Sequence, residues 1–168
     1  SKHIHAEFVC KDIIEYIQWL KQESFDFVVW VASFQHIPTT KERFILIKNI
    51  YRILTYEGKL IMTNRSFSQR FIKKYRKIIA LWIWRYICSF GKYQRNDLFI
   101  PRTNNGTTSK RFYHIYTLPE LKTILSLSGF VIKQLTYVHK WVTNISWKKS
   151  QNSLVIGEKS IFLKTEAN

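Results

Sequence analysis

The sequence predicts an α/β domain whose mostly parallel sheet ends in an antiparallel C-terminal hairpin. Three observations carry that expectation. Residues 25–34 are nearly all apolar and rich in Val and aromatics, the composition of a strand buried on both faces of a parallel sheet. Residues 59–63 (KLIMT) form a second such run. Between them, apolar side chains recur at 44, 45, 47, 50, 51 and 54, one face of a helix. Strand, crossover helix and strand with short joints are the signature of a βαβ unit.

The remaining elements follow in chain order. Residues 5–10 (HAEFVC) read as a strand running out at Asp12. Ile13, Ile14, Ile17 and Leu20 have helical spacing, and Ser24 and Asp26 break that helix. Thr39 or Thr40 suits a helix cap, and Glu42 stands three residues past Thr39, the capping-box spacing, ahead of a helix over 41–54. Tyr56-Glu57-Gly58 reads as a turn. Residues 65–96 hold nine Lys/Arg and no acid, and Phe67, Phe71, Tyr75, Ile78, Ile79, Trp82, Ile83, Tyr86 and Ile87 fall at helical steps. That is a long basic amphipathic helix.

Residues 97–106 carry two turn signals, Pro101 and Asn105-Gly106, and read as a loop. Residues 111–117 suit a short extended segment. Thr117 caps a helix over 118–128 that has Glu120 at its third position and Gly129 as its stop. Residues 130–139 and 153–161 are two strands, expected antiparallel, joined by a loop with Trp141, Trp147 and Lys148-Lys149.

A chain of 168 residues is one ordinary domain, and 46% hydrophobic residues suffice for a packed core. Its formal charge of +16 is uneven: residues 1–57 carry seven basic and seven acidic side chains, so the whole excess lies beyond them. A one-sided basic surface suits a polyanion or an anionic membrane; the plain alternative is a lysine-rich composition. Cys10 and Cys88 alone make neither a disulfide scaffold nor a zinc site, and no His/Cys/Asp cluster has metal-ligand spacing. They fit a reducing, cytoplasmic compartment. No secretory signal opens the chain, and no apolar stretch reaches the roughly 20 residues of a membrane span.

Four segments point to one kind of site. They are Asp12 after Phe8-Val9-Cys10, the run from Phe25 to Pro38 containing His36-Ile37, the run from Tyr51 to Ile61 containing Gly58, and the helix start at Leu118 that leads to Gly129-Phe130. In this order they resemble the second half of class I S-adenosylmethionine (SAM)-dependent methyltransferases. The resemblance implies a partial Rossmann-like methyltransferase fold over residues 1–168, missing the N-terminal strands, with a basic helical insertion at about 66–110. Asn96-Asp97-Leu98-Phe99-Ile100-Pro101, then Lys110-Arg111-Phe112-Tyr113-His114 and Glu120-Leu121, are similar to the insertion of the tRNA wobble-uridine carboxymethyl methyltransferases and their bacterial relatives. That family implies methyl transfer from SAM to a carboxylate on a tRNA base.

The sequence departs from the family pattern at Arg102, where a Trp is expected, and at Asn64-Arg65, where an aromatic is expected. No glycine occurs before Gly58, so the Gly-rich loop that carries the methionine part of SAM is absent from these residues. The expectation is a fragment lacking roughly 60–90 residues of a domain.

The resemblance assigns the cofactor side to Asp12 and Ile13 around the adenine, Val31, Ala32 and Ser33 along the cleft, and His36 at its mouth. The plain readings are a capped helix start, strand core and a capping or exposed histidine. It assigns the substrate side to Arg102, Lys110 and Arg111 as phosphate or carboxylate grips and to Tyr113 and His114, which in an extended segment point to opposite faces. The basic helix reads as an RNA-backbone site, as a solvated face packed on the sheet, or as an interfacial membrane attachment. Alternative functions are methylation of a small molecule or lipid, and non-catalytic binding of RNA or a partner subunit.

Overall fold

The computed structural model describes residues 6–88, 96–104, 106–140 and 142–160. Its elements are α1 (Ile13–Trp19), β1 (Phe25–Val31), a 3-10 turn (Phe34–His36), α2 (Thr40–Ile53), β2 (Leu54–Arg65), α3 (Gln69–Cys88), β3 (Asp97–Asn104), β4 (Thr107–His114), α4 (Leu118–Leu127), β5 (Phe130–Val138) and β6 (Asn152–Lys159). One sheet has the order β1-β2-β6-β5, and β3-β4 form a separate hairpin.

β1 and β2 are parallel, and β6 runs antiparallel to both β2 and β5. Three of the four strands therefore share a direction, and the C-terminal hairpin threads β6 between β2 and β5. The expected fold class is borne out. The capping box forms as its spacing implies: Glu42 N–H donates to Thr39 Oγ1 at 3.1 Å, and Thr39 N–H donates to Glu42 Oε2 at 3.1 Å. Thr117 caps α4 through Glu120 N–H, and Gly129 ends it at φ +99°, a conformation that favours glycine.

One face of the sheet carries the core. Leu46, Ile47, Ile50 and Ile53 of α2 and Leu121 and Leu125 of α4 pack on Leu60, Met62, Val155 and Phe130. Each buried Leu or Ile contributes about 1.5–3 kcal/mol. A second cluster joins α3 to the hairpin through Phe71, Leu98, Ile100 and Ile115, with Phe67, Tyr75, Ile79, Trp82 and Tyr113 around it.

Five expectations are corrected. Residues 6–10 form no strand, and Phe8 is 94% exposed; an extended segment without a partner leaves its backbone groups to water. His5 lies outside the described residues. β1 is buried on one face only: Val28 and Trp30 pack on the core while Val29 (64%) and Val31 (65%) are exposed, because the core helices cover one face of the sheet and, among the described residues, nothing covers the other at β1.

Tyr56-Glu57-Gly58 is not a turn between elements but a bulge inside β2. Between the Phe25–Leu54 and Phe27–Lys59 pairings the chain advances two residues on β1 and five on β2. Glu57 takes φ +62° there, and a Cβ on Gly58 would stand 2.7 Å from the Thr55 carbonyl oxygen. Residues 97–104 are strand β3 rather than loop. β3 pairs with β4 up to Asn104–Thr107, Gly106 between them takes φ +78°, and Pro101 is tolerated in a two-stranded ribbon; Asn105 lies outside the described residues. The basic helix spans Gln69–Cys88, with non-helical φ/ψ at Tyr75 that separates its first turns from 76–88. The ends of the expected helix (89–95) and last strand (161) lie outside the described residues, as does Trp141.

Candidate active site and basic cleft

The carboxyl end of β1 is where a parallel sheet presents its backbone to a ligand. Here Ala32 turns at φ +48° and its N–H donates to the Thr63 carbonyl at 2.9 Å, which anchors the turn to β2. Ser33 starts the 3-10 turn that ends at His36. Nδ1 of His36 lies 2.8 Å from the Phe112 carbonyl oxygen, and its ring meets Tyr113 edge-on at 4.5 Å. A carbonyl only accepts, so Nδ1 donates. Burial lowers the His36 pKa, the carbonyl bond works against that, and the cations of Arg111 and Arg102 lower it further. The ring is therefore neutral at pH 7, with Nε2 left as an acceptor.

The hairpin register explains which side chains reach this point. Leu98 pairs with Tyr113, Ile100 with Arg111 and Arg102 with Ser109, so Arg102, Arg111 and Tyr113 share one face. Lys110, Phe99, Pro101 and His114 belong to the other. The fold thus gathers His36, Tyr113, Arg102 and Arg111 at the end of β1 and turns Lys110 and His114 away.

His114 is fully committed to structure. Its Nδ1 lies 2.7 Å from Asp97 Oδ1 and its Nε2 2.6 Å from Glu120 Oε1, leaving no ring nitrogen for a substrate. Burial lowers its pKa, but the two carboxylate hydrogen bonds outweigh burial and hold it above the usual value. Burial raises the Glu120 pKa, and the bonds from His114 bring the net shift below the usual range.

Arg43, which the sequence reading did not single out, completes the cluster. It donates to the carbonyls of Ile37 and Pro38 at 2.9 Å, pairs with Asp97 at 3.5 Å and lies 5.7 Å over the Tyr116 ring. Its signal was legible: Arg43, Leu46, Ile47 and Ile50 share the helical spacing of the buried face of α2.

Asp12 caps α1. Its Oδ1 accepts from Ile14 N–H at 2.8 Å and Glu15 N–H at 3.2 Å, which leaves Oδ2 toward solvent. Ile13 packs against the edge of the main core. Among the described residues, no hydrogen bond or ion pair joins Asp12 to the 31–36 segment.

A cleft of about 920 Å³ opens beside the end of β2, the first turns of α3 and the loop before β6. Arg65, Arg70, Lys73, Lys74, Lys148 and Lys149 line it, and no Asp or Glu does. The guanidinium of Arg65 lies 5.8 Å from the Phe71 ring centroid, and a Ser66–Ser150 hydroxyl pair at 2.7 Å ties the two walls together. The sequence exposed the cations of α3; their convergence with Lys148 and Lys149 needed the β6 insertion. Among the described residues, no group of three His, Cys, Asp or Glu could hold a metal ion, and no helix is long and apolar enough to cross a membrane.

Comparison with known proteins gives these features a setting. A family profile described as a methyltransferase domain matches residues 1–62. No curated protein matches the chain. A SAM-dependent methyltransferase from Methanosarcina mazei superposes with a TM-score of 0.60 at 23% identity, over 84% of this chain and 62% of that one. A SAM-dependent methyltransferase from Clostridium acetobutylicum superposes at 0.59 with 12% identity, over 90% of this chain and 64% of that one. The 1,6-didemethyltoxoflavin-N1-methyltransferase of Burkholderia thailandensis, bound to 1,6-didemethyltoxoflavin and S-adenosylhomocysteine, gives 0.51 at 12% identity, over 86% of this chain and 48% of that one. The fold is thus the Rossmann-like fold of SAM-dependent methyltransferases, and the chain spans less than two thirds of each of these proteins.

Proposed function

We propose that this chain forms the acceptor-side part of a SAM-dependent methyltransferase. The observation that carries the reading is the meeting of His36, past the carboxyl end of β1, with Tyr113, Arg102 and Arg111 of the hairpin; the βαβ unit that leads to His36 overlaps the methyltransferase-domain match over residues 1–62, and the hairpin lies beyond that match. The residues present suit the adenosine end of SAM. Asp12 offers a free Oδ2 to an exocyclic amine, Ile13 an apolar cover for a flat ring, and Val31, Ala32 and Ser33 an exposed segment at the strand end. The methionine end needs a close-approach glycine turn, which these 168 residues do not supply before Gly58. The 168-residue chain is therefore expected to hold SAM weakly.

SAM supplies an electrophilic methyl group, and the chain's work is alignment. A carboxylate acceptor is already ionised at neutral pH, so no general base is required. Positioning supplies about 7–11 kcal/mol where the reacting atoms are held in line. Arg102 and Arg111, on one face of the hairpin, suit a bidentate hold on such an acceptor. The finer reading is a carboxymethyl-type nucleoside of a tRNA, methylated in the cytoplasm; its polyanion part is supported by the basic cleft, which offers phosphates six cations.

The test is an S-adenosylhomocysteine titration followed by NMR. Expected perturbations fall at Ile13, Ala32, Ser33 and His36. Perturbations confined to the cleft beside Arg65, or none at the highest soluble concentration, overturn the reading.

A further inference from the structure

Beyond its kink, α3 exposes a face whose residues belong to neither core cluster, with Ile83 and Ile87 at its edge also bordering a pocket of about 400 Å³ lined by Phe67, Ile79, Trp82 and Leu98. Residues 77, 81, 84 and 88 form one stripe of the helix surface, and 76, 80, 83 and 87 form the next. The first reads Lys77, Leu81, Trp84, Cys88; the second reads Arg76, Ala80, Ile83, Ile87; all eight are exposed. Both stripes open on a cation and continue apolar, with Leu81 at 54%, Trp84 at 63% and Ile87 at 66% exposure. The opposite side, Tyr75, Ile79 and Trp82, packs on the hairpin, so this face is not an unused core face. The patch also crosses to a second element: Leu81 and Arg85 share a surface depression with Phe99 and Lys110 of the hairpin.

We propose that the outer face of α3, continued by Phe99 and Lys110, is a docking surface for an anionic lipid bilayer. The chemistry separates this occupant from two others. Leu81, Ile83 and Ile87 offer nothing to a phosphate backbone, and nucleic-acid stacking would use only Trp84 and Phe99, leaving the aliphatic stripe unmatched. A second copy of the chain would bring Arg76, Lys77, Arg85 and Lys110 against their own counterparts. A bilayer of acidic headgroups satisfies both halves at once: aliphatic side chains and an indole enter the headgroup–acyl boundary while the flanking cations meet the headgroups. The net charge of +16 attracts the whole chain to the same surface. This holds whichever acceptor the cleft takes, since the cleft lies before the kink and the patch beyond it.

The test is vesicle flotation of the 168-residue chain, which separates bound protein from aggregate. Vesicles of phosphatidylcholine and phosphatidylglycerol in equal parts should carry the protein upward at low salt, and vesicles of phosphatidylcholine alone should not. Leu81→Ser combined with Ile87→Ser, both at exposed positions and so compatible with an unchanged circular dichroism spectrum, should weaken binding roughly tenfold or more. Arg76→Gln with Lys77→Gln should weaken it by a similar factor. No flotation on the anionic vesicles, or flotation indifferent to the Leu81 and Ile87 changes, overturns the proposal. So does loss of tRNA retention or of a dimer in the Leu81/Ile87 variant with flotation unchanged.

Discussion

Nε2 of His114 and Oε1 of Glu120 meet at 2.6 Å, and that bond ties the end of β4 to the first turn of α4. Asp97 holds the other ring nitrogen at 2.7 Å, so both nitrogens must carry protons to donate to two carboxylates. A histidine whose folded pKa lies above its unfolded value of about 6.5 stabilises fully below that pH and loses the contribution as pH rises through the folded value. Glu120 is shifted the other way: it contributes above about 4.5 and loses that contribution as pH falls through its lowered folded value. Unfolding free energy from urea titrations should therefore peak in mildly acid solution and decline as pH rises past neutrality. His114→Gln should cost about 1–3 kcal/mol in acid solution, and less above the folded pKa. A pH-independent difference would refute the doubly bonded imidazolium.

The basic cleft makes a prediction about salt. Each phosphate neutralised by a cation contributes about 0.7–0.9 to the slope of log affinity against log salt. Arg65 and Lys148 line the cleft from β2 and from the loop before β6, and among the described residues the ion pairs are made by other side chains; Arg65→Gln and Lys148→Gln each remove one cation. Filter binding to tRNA should show each change lowering the slope by about one contact, with their effects adding. An unchanged slope would place the polyanion elsewhere on the molecule.

Sequence and structure agree where one local rule decides and part where pairing decides. The Thr39–Glu42 box, the Thr117 cap and the Gly129 stop all form, because each depends on residues a few positions apart. Pro101 and Asn105-Gly106 suggest a loop, yet 97–104 pairs with 107–114; the pairing partner settles whether such residues are strand. Residues 6–10 show the reverse, strand-like composition with no partner. At the site, the alternation of Tyr113 and His114 was legible from the period of an extended segment. That His114 would be the inward, bonded one depended on Asp97 and Arg43, which come from β3 and α2.

β1 offers a check on the half-covered sheet. Among the described residues it pairs on one side only, and Phe27, Val29 and Val31 stand exposed on one face. An apolar strand with an open edge is a template for further pairing. Sedimentation velocity on the 168-residue chain should show concentration-dependent self-association. Val29→Lys should suppress it while changing stability by no more than about 0.5 kcal/mol, since the side chain is already in solvent. A monomer at all concentrations, with wild-type and variant alike, would mean the edge is protected by something other than a paired strand.

Tyr116 isolates the cost of one buried hydroxyl. Its ring stacks on Phe34 at 5.0 Å, meets His114 edge-on at 4.5 Å and lies under Arg43, and the residue is 1% exposed. The hydroxyl has no hydrogen-bond partner among the described residues. Burial pushes its pKa up, Arg43 opposes that, and the carboxylates of Glu120 and Asp97 push it further up, so it stays protonated and unpaired. Removing the oxygen keeps every ring contact and abolishes a desolvated polar atom. Tyr116→Phe should therefore be neutral or stabilising by about 1 kcal/mol in urea denaturation. Tyr116→Ala should cost about 3–5 kcal/mol, as for other large core truncations. If Tyr116→Phe instead destabilised the chain by more than about 1 kcal/mol, the hydroxyl would have to be bonded in solution, most simply through a buried water.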